Sequence, residues 1–126
     1  MKVLLVDDDR LGRVMLAHSL RARDIEVTEA ESAQEALSCW QAGGYDCVVS
    51  DILMPDMNGV ALAQRLRELQ AQDNAVAGTR LVALTASING PQEEAQINVL
   101  FDAVLHKPVA ADTLYRVLTD ESGLGQ

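Results

Sequence analysis

Residues 48–59 read Val-Val-Ser-Asp-Ile-Leu-Met-Pro-Asp-Met-Asn-Gly. The first residues of this stretch are apolar and β-branched, which predicts a buried strand that delivers Asp51 to its end. Pro55 and the pair Asn58-Gly59 then predict a turn, and a helical pattern follows. Proteins with open α/β sheets bind their ligands at the carboxyl ends of the strands, so Asp51 lies where a nucleophile or a metal ligand is expected.

Strand and helix patterns alternate along the rest of the chain. The predicted strands are 2–6, 25–30, 46–50, 80–84 and 102–105. Three predicted helices are 10–23, 59–70 and 109–118. Another begins with the capping box at 32–35 and ends at the glycines 43–44. A weaker helix begins near Pro91. Asp8 or Asp9 can cap the first helix. Its predicted apolar stripe consists of Leu11, Val14, Met15, Leu16 and Leu20.

Repeated strand–helix units predict an α/β fold with a parallel sheet and helices on both faces. The common solution for five such units is the flavodoxin-like (βα)5 three-layer sandwich with strand order 2-1-3-4-5. We expect one domain over residues 1–119 and a C-terminal tail or linker over 120–126. In this order Asp7 and Asp8 lie beside Asp51, and Thr85 and Lys107 reach the same edge.

The composition narrows the class of protein. Hydrophobic residues make up 48% and aromatic residues only 3%, which predicts an aliphatic core. A formal net charge of -9 argues against binding to nucleic acid or to an anionic membrane, and it fits solubility, a metal cation or a basic partner. Cys39 and Cys47 show neither zinc-site nor disulfide patterns. No apolar segment approaches membrane-span length and no signal peptide is evident, so we expect a cytoplasmic setting.

The predicted edge carries the groups that phosphoryl transfer requires. Three carboxylates in a partly buried cleft need a counter-charge, and oxygen ligands of this type suit Mg²⁺. Lys107 adds a movable positive charge, while the Thr85 hydroxyl and the backbone N–H of Ala86 add donors. Asp51 would be the nucleophile, since it emerges alone from the middle strand, and the product would be a transient acyl phosphate.

At this point the chain resembles a known family, the receiver (CheY-like) domains of two-component response regulators and hybrid sensor kinases. Four pieces carry the resemblance, in family order and at family-like spacing, and it covers residues 2 to about 119. They are Val-Asp-Asp-Asp (6–9), Asp-Ile-Leu-Met-Pro-Asp-Met-Asn-Gly (51–59), Leu-Thr-Ala (84–86) and Lys-Pro (107–108). The sequences of residues 51–59 and 82–86 are most similar to those of receivers attached to hybrid histidine kinases.

The resemblance implies that Asp51 accepts a phosphoryl group from a phosphohistidine on a sensor histidine kinase or a histidine phosphotransfer domain. It implies Mg²⁺ bound by Asp7 or Asp8 with Asp51 and the backbone carbonyl of Leu53. Thr85, Ala86 N–H and Lys107 would bind the phosphoryl oxygens. Such a domain is a signalling phosphoacceptor that assists its own phosphotransfer and hydrolysis, and it is not an enzyme with a separate substrate. We expect a monomer whose first helix and edge loops meet the donor's helical bundle.

Two positions depart from the family pattern. An aromatic residue usually stands three positions before the Lys, and here that residue is Val104, so we expect a weaker allosteric response. Leu100 stands where the family usually has Gly after the fourth helix. Because Leu does not adopt a left-handed conformation cheaply, the helix must end differently or run on, and it is expected to be mobile or displaced.

The same residues argue against two other classes of protein and leave a third open. A haloacid-dehalogenase-type phosphatase needs a second Asp two residues after the nucleophile, and position 53 is Leu. A dinucleotide binder needs a phosphate-cradling loop after the first strand, where Asp7-Asp8-Asp9 would repel phosphate. A phosphorylation-independent, receiver-like interaction module stays open as the alternative.

Overall fold

The computed structural model describes residues 1–52, 59–73, 78–86 and 90–119. Strands and helices alternate along this part of the chain. The strands are β1 (Lys2–Val6), β2 (Glu26–Ala30), β3 (Cys47–Asp51), β4 (Arg80–Thr85) and β5 (Ala103–His106). The helices are α1 (Arg10–Arg21), α2 (Ala33–Ala42), α3 (Gly59–Gln72), α4 (Gly90–Leu100) and α5 (Ala111–Thr119). The predicted tail 120–126 lies outside the described residues.

The five strands form one parallel sheet in the order β2-β1-β3-β4-β5, which confirms the predicted flavodoxin-like α/β fold. Helices cover both faces. One core cluster packs α2, α3 and α4 on one face of the sheet, and the other packs α1 and α5 on the opposite face. Because every strand runs in the same direction, the carboxyl ends of β1, β3, β4 and β5 meet at one edge. β1 pairs with both β2 and β3, so the switch point lies beside it.

The edge strand and the second helix form as their residues predict. β2 carries the charged residues Glu26 and Glu29, which only an edge strand tolerates easily. The Ser32 hydroxyl accepts a hydrogen bond from the Glu35 backbone N–H at 3.1 Å, which confirms the capping box. Within the described residues, no helix is long and apolar enough to cross a membrane.

The predicted inward face of α1 is confirmed for Leu20, which is buried, and for Leu16, which packs against the core, but it is wrong for Leu11, Val14 and Met15. Leu11 and Met15 are 71% and 61% exposed, and the buried positions of this helix are Arg13, Ala17 and Leu20. The inward face therefore begins with a charged residue, because the Arg13 guanidinium finds polar partners beneath the helix. Hydrophobic periodicity alone could not locate that face. Asp9 occupies the N-cap position as predicted, but its side chain makes no capping hydrogen bond.

Helix α4 ends at Leu100 without a left-handed residue. Ile97 is the buried residue of this helix, and Ala95, predicted in its apolar stripe, is exposed. The Leu100 carbonyl accepts a hydrogen bond from Arg67 Nε at 2.9 Å, and Arg67 Nη2 also donates to Asp102 Oδ2 at 3.2 Å. A side chain from α3 thus replaces the glycine cap, so this end of α4 is held in place rather than displaced.

We expect Arg67→Met to lower the free energy of unfolding by about 2 kcal/mol, since it removes charge-assisted hydrogen bonds to a helix end and a half-buried carboxylate. Urea titration should show a lower midpoint with an unchanged slope. Arg65→Met is the matched control, because Arg65 pairs with Glu68 on an exposed face of the same helix and should cost less than about 0.5 kcal/mol. Equal losses in the two variants would contradict a capping role.

Candidate functional site

Asp51 is the last residue of β3 and is 8% exposed. The Ile52 N–H donates to the Leu84 carbonyl at 3.0 Å, which continues the β3–β4 pairing past the carboxylate. Gly59 begins α3 directly against this backbone, with its N–H 2.6 Å from the Ile52 carbonyl. A Cβ at Gly59 would lie 2.4 Å from the Asp51 carbonyl oxygen. Position 59 thus requires glycine because the start of α3 approaches the backbone of Asp51 and Ile52 closely. The sequence suggested a different reason, a turn at Asn58-Gly59. Asn58 lies outside the described residues.

Three carboxylates meet at this edge, as the strand order predicted. Asp7, Asp8 and Asp51 each offer an oxygen, and these oxygens lie within 4.8 Å of one another. Asp7 and Asp51 are buried, whereas Asp8 is exposed. Carboxylates crowded in this way repel one another unless a cation lies among them.

Lys107 brings a cation to the cluster from the end of β5. Its Nζ donates to Asp7 Oδ2 at 3.0 Å and to Asp51 Oδ2 at 3.1 Å. Burial lowers the pKa of the Lys107 ammonium, but the hydrogen bonds and negative charges of Asp7 and Asp51 outweigh burial, and the pKa lies above its ordinary value. The Lys107 backbone N–H also donates to the Thr85 carbonyl at 2.8 Å, which fixes the lysine to the end of β4.

Of the other predicted site residues, Thr85 and Ala86 lie at the same edge of the sheet. Thr85 is the last residue of β4 and is 1% exposed, and the exposed Ala86 follows it at the same edge. Leu53, whose carbonyl was predicted as a metal ligand, lies outside the described residues. Val104 is half-buried, pairs with Ala83 on β4 and packs on the core beneath α3 and α4. The weaker response expected from Val104 stays a prediction.

The donor set of the edge fits a hard divalent cation. Its ligand atoms are oxygens of three carboxylates, and Lys107 pairs with two of them, Asp7 and Asp51. Negative charge is therefore in excess, and oxygen ligands with an exposed member suit Mg²⁺, which keeps several of its waters. The residues present thus match the metal that the sequence predicted.

A cavity of about 600 Å³ opens beside the carboxylates, between α1 and the connection from β5 to α5. Asp7, Asp9 and Lys107 contribute charged groups to its lining, and its remaining walls are largely apolar. These walls include Gly12, Met15, Leu16, Pro108, Val109 and Ala111. The exposed Leu11 and Met15 extend the apolar surface along α1. The sequence contains this signal, but hydrophobic periodicity assigns Leu11 and Met15 to the core.

The comparisons with known proteins agree with this geometry. Residues 3–119 match the response regulator receiver domain, and the chain belongs to that family. It is 33% identical over 116 residues to the autoinducer 1 sensor kinase/phosphatase LuxN of Vibrio campbellii, which covers 92% of this chain and 13% of LuxN. It is 32% identical over 121 residues to the sensor histidine kinase RcsC of Escherichia coli K12, covering 94% of this chain and 12% of RcsC. The chain thus spans a small part of these relatives.

Solved structures show the same fold. The chemotaxis protein CheY4 of Vibrio cholerae is 30% identical with a TM-score of 0.82, over 93% of this chain and 94% of CheY4. The receiver domain of Saccharomyces cerevisiae Ssk1, solved with the histidine phosphotransfer protein Ypd1, is 28% identical with a TM-score of 0.84, over 94% and 86%. Thermotoga maritima TrrA, solved with Mg²⁺-BeF, is 27% identical with a TM-score of 0.76, over 91% and 93%.

The raised pKa of Lys107 predicts a particular dependence of stability on pH. Because the folded-state pKa lies above the ordinary value of 10.5, the contribution of Lys107 is complete below that pH and is lost as the pH rises through the folded-state pKa. In metal-free buffer, Lys107→Met should be less stable than the wild type near neutral pH. The difference should shrink only above about pH 10.5. Urea unfolding from pH 7 to about pH 11.5 measures it, and a difference that stays constant throughout would contradict the ion pairs.

Proposed function

We propose that this chain is a phosphoacceptor module of a two-component phosphorelay, with residues 1–119 as the receiver and Asp51 as the residue phosphorylated. One observation carries the proposal: Lys107 Nζ lies between Asp7 and Asp51, within 3.1 Å of an oxygen of each. A surface lysine or a lone acidic pair has ordinary structural explanations. A buried aspartate at a strand end, a lysine on it and two further carboxylates together suit attack on phosphorus.

In the proposed transfer, a carboxylate oxygen of Asp51 attacks the phosphorus of a phosphohistidine. The O–P bond forms as the P–N bond breaks, and the departing imidazole nitrogen keeps the electron pair and takes up a proton. Lys107 then exchanges its contact with Asp51 for one with a phosphoryl oxygen, where its charge offsets the charge that develops. The Thr85 hydroxyl and the Ala86 N–H would donate to the other oxygens.

We infer that Mg²⁺ is held by Asp7 or Asp8 together with Asp51 and the Leu53 carbonyl, directly or through water. When bound, the ion supplies positive charge that neutralises the phosphoryl group and the carboxylates. The complex of the similar response regulator TrrA with Mg²⁺-BeF supports this proposal.

The acyl phosphate would be transient. The carboxyl–phosphate linkage is open to attack by water, so the chain would assist its own dephosphorylation and return to the free aspartate. It would act as a signalling phosphoacceptor and would not turn over a separate substrate.

The proposed donor is a sensor histidine kinase or a histidine phosphotransfer domain, and the proposed setting is the cytoplasm. LuxN and RcsC are sensor kinases by name, and Ssk1 is described in complex with a phosphotransfer protein. On this chain, the exposed Leu11 and Met15 and the apolar cavity beside Lys107 offer a surface for a donor helix. The chain would act as a monomer, and with Val104 its α4–β5–α5 face would respond weakly.

Asp51→Asn should abolish labelling by acetyl [³²P]phosphate, because the amide nitrogen and oxygen cannot form the acyl phosphate. Labelling of the wild type should require Mg²⁺, disappear with EDTA and be released by hydroxylamine, which cleaves acyl phosphates. Asp9→Asn is the matched control, since Asp9 is an exposed carboxylate at the same edge outside the cluster of three, and it should label within about two-fold of the wild type.

Undiminished label in Asp51→Asn would refute the assigned phosphoacceptor. If the wild type takes no label from acetyl phosphate or from a phosphohistidine donor, the phosphorylation-independent interaction module becomes the better account.

The helix α1 surface has its own test. Leu11→Glu and Met15→Glu should each slow phosphotransfer from a phosphorylated histidine phosphotransfer domain at least ten-fold, because a charge in an apolar contact weakens docking. Their labelling by acetyl phosphate should not change, since this small donor needs no docking surface. Val99→Glu on α4 is the control, an aliphatic residue that is 82% exposed on another part of the surface. Equal effects of all three variants would rule out a donor surface on α1.

A further inference from the structure

The connection between β1 and α1 carries two of the three clustered carboxylates, and its backbone is tied on both sides. The Asp7 N–H donates to the Ala30 carbonyl of β2 at 3.1 Å. The Asp7 carbonyl accepts a hydrogen bond from Arg13 Nη1 at 2.8 Å. The Asp7 backbone is therefore held by a side chain that comes back from the end of the first turn of α1, while its carboxylate accepts hydrogen bonds from the Asp9 N–H at 2.9 Å and from Lys107 Nζ at 3.0 Å.

Arg13 is a buried cation, 8% exposed, and its charge is balanced away from the carboxylate cluster. Its Nε donates to Glu29 Oε1 at 3.1 Å, and the other oxygen of Glu29 accepts from Arg21 Nη1 at 3.1 Å. Removing one partner of a buried ion pair leaves an uncompensated charge, so the pair holds its geometry firmly. Arg13 thereby connects the edge strand β2 to the backbone of Asp7.

Only an arginine makes both contacts in a fixed arrangement. Its planar guanidinium presents Nε and Nη1 in rigid positions, so the bond to Glu29 sets the direction of the bond to the Asp7 carbonyl. A lysine supplies the same charge as a point on a flexible stem. Lysine at this position therefore keeps the electrostatics and loses the geometry.

We propose that Arg13 is a positioning residue that fixes the β1–α1 connection so that Asp7 and Asp8 face Asp51 at the spacing for a divalent cation. This inference rests on the proposed metal binding, and it concerns what sets the affinity. The charge of Arg13 and its positioning role predict different effects of Arg13 substitutions on the affinity for Mg²⁺. A positive charge near a cation site weakens metal binding, so on charge alone Arg13→Met would bind Mg²⁺ more tightly and Arg13→Lys as tightly as the wild type. Positioning predicts weaker binding in both variants.

The test is a Mg²⁺ titration of the full chain by calorimetry, together with urea unfolding in metal-free buffer. Arg13→Lys should raise the Kd for Mg²⁺ at least five-fold. Arg21→Lys is the matched control, because Arg21 also donates to Glu29 but its second contact is the Val27 carbonyl, away from the carboxylates. It should bind Mg²⁺ within two-fold of the wild type. Comparison with the metal-free unfolding curves separates a loss of affinity from a general loss of stability.

A second variant covers the case in which Arg13→Lys does not fold. Glu29→Asp keeps the charge but withdraws the carboxylate from Arg13 by one methylene, and it should raise the Kd for Mg²⁺ at least two-fold. Wild-type affinity in Arg13→Lys, or in Glu29→Asp where the lysine variant is unfolded, would overturn the positioning role and leave the proposed function intact. A wild type that binds no Mg²⁺ at millimolar concentration would overturn both.

Discussion

The bridge from the Lys107 ammonium to the Asp7 and Asp51 carboxylates is the constraint on which the site depends. The three groups come from the ends of three strands, so they meet only when β1, β3, β4 and β5 keep their register. A slip of one residue would reverse the side-chain directions of a whole strand and separate the charges. The aliphatic core on each face of the sheet maintains that register, whereas the charged groups at the edge supply the chemistry. The residues that hold the sheet together are thus largely different from those that form the site.

The sequence predicts the features that depend on local patterns, and it does not predict those that depend on distant partners. The strands and helices follow from local patterns, because a short apolar run that ends in a polar residue is visible in the sequence. The strand order common to five such units then brings Asp7, Asp51 and Lys107 to one edge. The inward face of α1 was only partly predictable in this way. Arg13 is buried because its partners, the Asp7 carbonyl and Glu29, come from the chain before and after the helix. A pattern of apolar residues contains no information about such partners.

The end of α4 shows the same limit. The sequence correctly marked Leu100 as unsuited to a left-handed cap, and it gave no means to find the replacement. Arg67 lies 33 residues earlier, on a different helix. Its guanidinium belongs to a chain of contacts in which Gln70 donates to the Thr79 carbonyl and Thr79 to the Tyr45 carbonyl. A chain of tertiary hydrogen bonds thus does the work that a single glycine does in the family pattern.

Fixing one end of α4 has a consequence for how this helix fluctuates. Its C-terminal end is tied to α3, whereas its first turn, from Gly90 to Gln92, is exposed and begins with a glycine whose φ is 88°. Local opening should therefore begin at that turn and proceed toward Ile97, and backbone amides near Gly90 should exchange with solvent at a lower free energy than those near Leu100. The end of the helix that follows Thr85 and Ala86 in the chain is the one that fluctuates most easily.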